Sequence, residues 1–242
     1  MTGAPHIIVA PDAAGVAAAA AQRLLDRVME TPAAAVCLTG GSTPKQLYQL
    51  LASPTWRARI PWQRVHWFLG DERAVGDEDP LSNGGMARAA FLDACAPPAN
   101  VHLIEAASGP PDDVARAYQI VLEEFKTHRR SGMPLFDLVL LGVGPDGHVA
   151  SLFPNSAALA EKSRWVVGVD HANVAPFVPR ISLTLPCLAD ACEMLFLATG
   201  NGKRDILRRV FAGEDLPAGH ARAAGGDTVW LLDQAADPRA AP

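Results

Sequence analysis

Short apolar runs and helical stripes of apolar residues alternate along the whole chain. The short runs predict buried strands, because strands covered on both faces lose the alternation of polar and apolar positions. They cover residues 6–10, 34–38, 65–69, 101–104, 136–141, 165–169, 181–185, 194–198 and 229–232. Helical spacing recurs over residues 12–30, 83–95 and from 112 or 113 onwards, and Pro44 fits the first turn of a helix that ends near residue 52. The alternation predicts a mostly parallel, doubly wound α/β sheet with helices on both faces.

The pattern contains no internal repeat and no low-complexity linker, so we expect residues 1–242 to form a single domain. The Gly/Ala-rich stretch 213–226 predicts a surface loop, and residues 235–242 predict a frayed tail. We expect Asp112 or Asp113 to cap the long helix that follows. We also expect Asn201 to cap a helix that buries residues 206–211.

The composition narrows the class of protein. Hydrophobic residues make up 49% and charged residues 19% of the chain, which is typical of a globular protein and excludes extensive disorder. The net charge of −5 argues against a nucleic-acid partner, and no apolar run reaches the roughly 20 residues of a membrane span. The start does not resemble a signal peptide, and the four cysteines form no C-x-x-C pair. We therefore expect a cytoplasmic protein whose thiols are reduced core residues.

Gly40, Gly41, Ser42 and Thr43 follow the second predicted strand. In an open α/β sheet, ligands bind beyond the carboxyl ends of the strands. Glycines let the backbone approach an anion, the helix that follows offers free N–H groups, and the two hydroxyls add donors. The loop lacks the Walker A pattern, and it fits a tight turn capped by Ser or Thr equally well. A phosphate site and a capped turn are therefore alternatives at this loop.

A second loop begins at Gly70, and Asp71, Glu72 and Arg73 follow it directly. Three charged residues directly after an apolar strand predict either a solvated edge of the sheet or a functional site. A carboxylate in this position is suited to proton transfer. Arg73 is suited to binding a carboxylate, a phosphate or a developing oxyanion.

The third loop runs from Gly142 to His148, after the most apolar strand. Its three glycines match the dinucleotide pattern G-x-G-x-x-G, but Pro154 would limit the following helix to about two turns, which disfavours NAD binding. His148 has the side chain best suited to a general base near neutral pH, and Asp146 can orient it. The other histidines show no metal-ligand spacing, so we expect no metal site.

The fourth loop is Thr199-Gly200-Asn201-Gly202-Lys203, and Arg180 starts another predicted strand. A cation in the first turn of a helix opposes the helix dipole, and a bound anion would offset that cost. The alternative for Lys203 is a solvated surface lysine.

Together these loops resemble the 6-phosphogluconolactonase family. The matching segments are LTGGSTPKQLYQLLA, FLGDERAV with SNGGMAR downstream, FDLVLLGVGPDGHVASLFP and PRISLTLPCLADACEMLFLATGNGK, and VWLLDQAA near the end is similar too. The likeness covers about residues 36–235. The wider superfamily includes glucosamine-6-phosphate deaminases and sugar-sensing domains of transcription regulators. The resemblance implies the Rossmann-like fold of this superfamily, the NagB type.

The resemblance implies hydrolysis of 6-phospho-D-glucono-1,5-lactone to 6-phospho-D-gluconate, in the pentose phosphate pathway, without a metal or organic cofactor. It implies that His148 takes the proton of the attacking water and that Asp146 supports it. The remaining implied site residues are Gly40, Gly41, Ser42, Thr43, Arg180 and Lys203 around the phosphate, Asp71 at the sugar end, and Arg73 at the oxyanion. We expect a monomer whose partner is this small molecule, with no nucleic-acid or membrane partner.

Three alternatives stay open. Deaminases of the superfamily carry a Glu five residues after the His and D-E-Y in the second loop, where this chain has Phe153 and Asp71-Glu72-Arg73. Both differences favour the lactonase. Lactonases commonly have Pro at the position of Gly76, and we expect this difference to change only the loop. A non-catalytic sugar-phosphate sensor would carry a helix-turn-helix segment, and the first 35 or so residues instead predict a strand and a helix. A dinucleotide oxidoreductase would have to bind NAD.

Overall fold

The computed structural model describes residues 5–240. The strands are β1 (His6–Ala10), β2 (Ala34–Leu38), β3 (Val65–Leu69), β4 (Asp71–Arg73), β5 (Val101–His102), β6 (Leu138–Leu141), β7 (Val166–Val169), β8 (Arg180–Leu183), β9 (Glu193–Ala198) and β10 (Asp227–Asp233). Seven of them form one sheet in the order β1-β10-β9-β6-β2-β3-β5, and every neighbouring pair in it is parallel. The predicted mostly parallel α/β fold is confirmed.

Helices connect the strands of this sheet. They are α1 (Ala13–Glu30), α2 (Ser42–Ala52), α3 (Pro54–Arg57), α4 (Asn83–Ala87), α5 (Asp93–Cys95), α6 (Pro111–His128), α7 (Ala157–Ala160), α8 (Leu185–Ala189), α9 (Arg204–Phe211) and α10 (Pro217–His220). A π-helical segment, Arg88–Leu92, joins α4 to α5, so the predicted helix 83–95 is continuous but not uniformly α-helical. Among residues 5–240, no helix combines the length and the apolar character that crossing a membrane requires.

The apolar pattern explains the layering. The central strands β2, β6 and β9 are buried along their whole length, as strands covered on both faces must be. Helix α1 begins after Asp12, whose carboxylate accepts the N–H of Gly15 at 2.8 Å. The face that it turns to the sheet consists of Val16, Ala17, Ala20, Ala21, Leu24, Leu25 and Val28.

The strand order brings four loops to one edge of the sheet. Strands β9, β6, β2 and β3 are consecutive neighbours and run in the same direction. Their carboxyl ends lead into the loops around residues 199–203, 142–148, 39–43 and 70. Because parallel strands end at the same edge, these separate stretches of sequence meet there.

A second sheet was not expected from the sequence. Strands β4, β8 and β7 form an antiparallel sheet in that order. The charged stretch 71–73 is therefore a strand and not a loop, because it pairs with residues 180–182. The strand predicted over 181–185 ends at Leu183, and Leu185 begins α8.

Several local predictions are wrong at the ends of elements. Asp112 and Asp113 lie in the first turn of α6 and do not cap it, because the helix begins earlier, after Pro110. Both carboxylates pair with Arg116 instead. The strand predicted over 101–104 is limited to β5.

The stretch of residues 213–240 is more ordered than the sequence predicts. The expected surface loop 213–226 contains α10, and Leu216 and Ala218 are buried in it. Ala236, in the expected tail, is fully buried, while residues 241–242 lie outside the described part of the chain. Of the four thiols expected in the core, Cys37 and Cys187 are buried and the other two are partly exposed.

Two histidines on neighbouring strands hydrogen-bond to each other. Nδ1 of His66 lies 3.0 Å from Nε2 of His102, and the two rings stack. Burial, and after it the charge of His66, lower the pKa of His102 to about 4. Burial and the charge of Arg129 also lower the pKa of His66. The folded chain therefore resists protonation of this pair.

We expect the free energy of unfolding to fall as the pH is lowered from about 6.5 towards about 4. In this range the unfolded chain, with its ordinary histidine pKa of about 6.5, binds more protons than the folded chain, so acid favours unfolding. His102→Phe keeps an aromatic ring against Phe68 and removes the one of the two histidines whose pKa is lowered to about 4, so the dependence on pH should become weaker. Urea denaturation of both proteins across this pH range measures the difference. An equal dependence on pH in the two proteins would contradict the expectation.

Candidate active site

The loops at the carboxyl edge of the sheet enclose a cleft of about 260 Å³. Nine of the ten predicted site residues line it, namely Gly40, Gly41, Ser42, Thr43, Asp71, Arg73, His148, Arg180 and Lys203. The tenth, Asp146, contacts the ring of His148 from outside the lining. The fold thus assembles one site from all four loops and the small sheet.

Asp146 holds the ring of His148. Its Oδ1 lies 2.6 Å from Nδ1 of His148 and accepts the backbone N–H of the same residue at 3.2 Å. We assign the ring proton to Nδ1, because an ionised carboxylate only accepts hydrogen bonds, which leaves the lone pair on Nε2. The ring also packs on Phe153, with centroids 4.8 Å apart. An imidazole fixed in this tautomer can act as a general base.

Glycines shape the loop around His148. A Cβ at Gly144 would lie 2.1 Å from Nδ1 of His148, so the backbone can approach the ring only without a side chain. Gly147 has a φ of +86°, and its carbonyl accepts the N–H of Ala218 in α10 at 3.0 Å. No helix starts at Gly147, because residues 148–156 form turns and an isolated bridge before α7. The three glycines thus allow the backbone of the loop to pass close to His148. A dinucleotide site would need a helix directly after them, and none follows.

The first loop leads into the amino-terminal end of α2, which no side chain caps. Gly41 precedes α2 with a φ of +111°, and no side chain caps the first turn. The alternative of a turn capped by Ser or Thr is therefore wrong: Ser42 and Thr43 are the first residues of the helix, and both line the cleft. Oγ1 of Thr43 lies 2.7 Å from Oγ1 of Thr199, which ties the first loop to the fourth. Free N–H groups and the dipole suit this end of α2 to an anion.

Three cations line the cleft. Arg180 is only 4% exposed and donates to the carbonyls of Val178 and Pro176, at 3.1 and 2.7 Å. Burial, and after it the charge of Arg73, lower the pKa of Arg180. Arg73 donates to the carbonyl of Leu81 at 2.5 Å. Arg73 and Arg180 are cross-strand neighbours on β4 and β8, so their positive charges repel each other, and an anion bound to both would offset the repulsion.

Lys203 is partly buried, so the alternative of a solvated surface lysine is wrong. Its Nζ donates to the carbonyl of Val143 at 2.7 Å, and burial lowers its pKa. The expected cap by Asn201 is also wrong. Asn201–Lys203 form a 3-10 turn, so Lys203 precedes α9 and does not lie in its first turn.

Asp71 is buried and held by groups from two other segments. Its Oδ2 accepts the hydroxyl of Ser151 at 2.7 Å, and Nδ2 of Asn83 donates to its backbone carbonyl at 3.0 Å. Asn83 also lines the cleft, although it is not among the predicted site residues. The segment SNGGMAR was the available signal, but only the fold shows that it contacts Gly40.

Glu72 does not line the cleft, unlike its two neighbours. It is 2% exposed and accepts the backbone N–H groups of Arg73, Asn83 and Gly84, at 2.7, 2.8 and 2.6 Å, and the hydroxyl of Ser82 at 3.0 Å. Burial raises its pKa, and the backbone N–H groups oppose that rise. Glu72 therefore fixes α4, and with it Asn83, against β4.

We expect Gly40→Ala to lower kcat/KM by about 5–10-fold, because misplacing active-site groups by a fraction of an ångström slows catalysis. A Cβ at Gly40 would lie 1.9 Å from Oδ1 of Asn83, so the amide must leave its position beside Asp71. Gly202→Ala is the matched control, because a Cβ there has no atom within 4 Å. Steady-state kinetics of both variants test this, and an equal effect of the two substitutions would contradict it.

Comparison with known proteins identifies the family. The family described as glucosamine-6-phosphate isomerases/6-phosphogluconolactonase matches residues 11–230. The chain belongs to this family. Among its members, the 6-phosphogluconolactonase of Streptomyces coelicolor is 38% identical over 249 residues, covering 98% of this chain and 95% of the relative. The 6-phosphogluconolactonase of Synechocystis is 37% identical over 225 residues, covering 91% and 90%.

Solved structures agree with this family. A crystal structure of a protein named devB has a TM-score of 0.85 and 32% identity, covering 96% of this chain and 97% of that one. The 6-phosphogluconolactonase from Trypanosoma cruzi has a TM-score of 0.82 and 30% identity, covering 97% and 96%. A monomeric glucosamine-6-phosphate deaminase has a TM-score of 0.81 at 20% identity, a likeness of fold alone.

Proposed function

We propose that this chain is a 6-phosphogluconolactonase that hydrolyses 6-phospho-D-glucono-1,5-lactone to 6-phospho-D-gluconate in the pentose phosphate pathway. The observation that carries the proposal is the pairing of His148 with Asp146 at a cleft lined by three cations. The relatives named 6-phosphogluconolactonase, at 37–38% identity over most of both chains, support the same reaction. The whole chain would act as a single cytoplasmic domain and a monomer, with this small molecule as its partner.

His148 would act as the general base. Its Nε2 takes a proton from water, the water oxygen attacks the lactone carbonyl carbon, and the carbonyl oxygen becomes an oxyanion. The imidazolium that forms is stabilised by Asp146 at 2.6 Å. When the ring C–O bond breaks, the leaving alkoxide takes the proton back from the imidazolium. The product is the open-chain acid, which ionises in water, and the side chains return to their starting state.

The cations divide into two roles. Arg73 would stabilise the oxyanion, since it lines the cleft on the strand that carries Asp71. Arg180, Lys203 and the first turn of α2, with Gly40, Gly41, Ser42 and Thr43, would hold the phosphate. Asp71 would accept hydrogen bonds from sugar hydroxyls. Such binding uses charge-assisted hydrogen bonds and needs no metal.

Hydrolysis of freshly generated 6-phosphogluconolactone tests the proposal. We expect a rate far above the spontaneous opening of the lactone, which has to be measured and subtracted. A rate equal to the spontaneous one would refute the proposal. Ammonia release from glucosamine 6-phosphate would then indicate a deaminase, and tight binding of 6-phosphogluconate without turnover would indicate a sensor. Phe153, where the deaminases have a Glu, favours the lactonase over the deaminase.

A further inference from the structure

The segment VWLLDQAA, residues 229–236, contributes no residue to the lining of the cleft. It forms most of β10 and the turn that follows, and β10 lies next to β9 in the large sheet. The parallel register that pairs Leu232 with Ala198 places Asp233, the last residue of β10, level with Thr199. Thr199 begins the fourth loop of the cleft. The one charged side chain of this segment therefore lies beside that loop.

Asp233 is buried, and its carboxylate reaches beyond its own turn. The residue is 5% exposed. Its Oδ1 accepts the N–H of Ala236 at 2.8 Å, a local contact that aspartates often make in turns. Both carboxylate oxygens also accept the N–H of Gly200, each at 3.0 Å, although Gly200 lies 33 residues earlier in the chain. Because a buried carboxylate is costly without donors, these contacts fix Asp233 and Gly200 to each other.

Gly200 starts the turn that carries Lys203. Its φ is +86°, and its carbonyl accepts the backbone N–H of Lys203 at 3.1 Å. The residue before it, Thr199, contacts the hydroxyl of Thr43 at 2.7 Å. Lys203 and Thr43 both line the cleft. A displacement of Gly200 would therefore move two of the groups that are proposed to hold the phosphate.

We infer that Asp233 is a positioning residue for the phosphate end of the cleft. It acts through Gly200 and does not touch the substrate, since it does not line the cleft. The inference rests on the proposed function, which assigns the phosphate to Lys203 and Thr43. The negative charge of Asp233 repels a phosphate, so this residue favours phosphate binding by the geometry of the loop and not by its charge.

Kinetics of Asp233 variants test the inference. We expect Asp233→Ala to raise the KM for the phosphorylated lactone by about tenfold and to leave kcat within about twofold, because it disturbs binding and not the reacting carbonyl. Asn keeps one acceptor oxygen, so Asp233→Asn should raise KM only about threefold. Asp237→Ala is the matched control. Asp237 is a buried aspartate in the same stretch, but its carboxylate binds Arg239, so KM should not change.

Inorganic phosphate gives a readout that does not need the lactonase reaction. We expect phosphate to raise the melting temperature of the wild type, and Asp233→Ala to need about tenfold more phosphate for the same rise. A wild type that does not hydrolyse the lactone would refute the proposed function, while the phosphate titration would still test Asp233. A wild type that hydrolyses the lactone, with an Asp233→Ala protein that behaves like Asp237→Ala, would refute this inference alone.

Three further results would overturn the inference. The first is an Asp233→Ala protein that loses kcat or stability but keeps the wild-type KM and phosphate dependence, because Asp233 would then serve folding alone. The second is a KM below that of the wild type in Asp233→Asn, which would show that the charge outweighs the geometry. The third is a wild type whose melting temperature does not respond to phosphate. If Asp233→Ala does not fold, a folded Asp233→Asn protein with the wild-type KM would also overturn it.

Discussion

Replacing His148 with Ala is expected to lower kcat for lactone hydrolysis by about 10²–10⁴-fold, with a much smaller change in KM. The imidazole takes a proton only in the step that forms the tetrahedral intermediate, so its loss raises that barrier and leaves substrate binding nearly intact.

The matched control for this variant is His128→Ala. His128 is exposed on α6, outside the catalytic cleft, so its removal should leave kcat unchanged. Both rates must be corrected for spontaneous lactone opening. A His148→Ala protein that keeps the wild-type excess over this background would show that another group is the base, with Asp71 or Asp146 the next to test.

Asp146→Asn separates positioning from proton transfer. The Asn side chain is similar in shape, but its amide N–H₂ competes to donate where the carboxylate accepts Nδ1–H of His148. The imidazole of His148 would then turn or change its tautomer. We therefore expect Asp146→Asn to lower kcat and to leave KM close to the wild-type value, as the corresponding substitution does in Ser-His-Asp enzymes.

The large sheet was predictable because its strands carry a strong local signal. β2, β6 and β9 are buried on both faces, and such strands form continuous apolar runs that can be read without tertiary information. The small sheet was not predictable in this way. Asp71 and Glu72 belong to one of its strands, and charged residues normally indicate a loop. The cost of burying these two carboxylates is compensated by hydrogen bonds from Ser82 to Glu72 and from the distant Ser151 to Asp71, which a local pattern does not show.

The candidate site was predictable to the extent that its residues follow strands. Ser42, Asp71, His148 and Lys203 each follow shortly after the end of a strand of the large sheet, and parallel topology brings these strand ends together. Asn83 could not be found by this reasoning, because it begins a short helix and reaches the cleft only across Gly40. Its position depends on the buried carboxylate of Glu72, which no sequence pattern reveals.

Replacing Lys203 with Met is expected to raise the KM for the phosphorylated lactone by about 10–150-fold, which corresponds to the loss of one hydrogen bond to a charged group. Met retains the length and most of the packing of the side chain and removes only the ammonium. The control is Arg204→Met, because the neighbouring guanidinium contacts the carbonyls of Gln234 and Ala235 and lies outside the cleft lining.

Stability should move in the opposite direction from binding in the Lys203 variant. Burial lowers the pKa of Lys203, which means that the charged ammonium is less favourable in the folded chain than in the unfolded chain. Below this lowered pKa the side chain is charged in both states, so its burial reduces the free energy of unfolding. Met removes this cost, and the free energy of unfolding should stay the same or rise. Inorganic phosphate should raise the melting temperature of the wild type and of Arg204→Met, but much less that of Lys203→Met. A destabilised Lys203→Met protein that still responds fully to phosphate would mean that Lys203 serves packing and the helix start, and that the phosphate is held elsewhere.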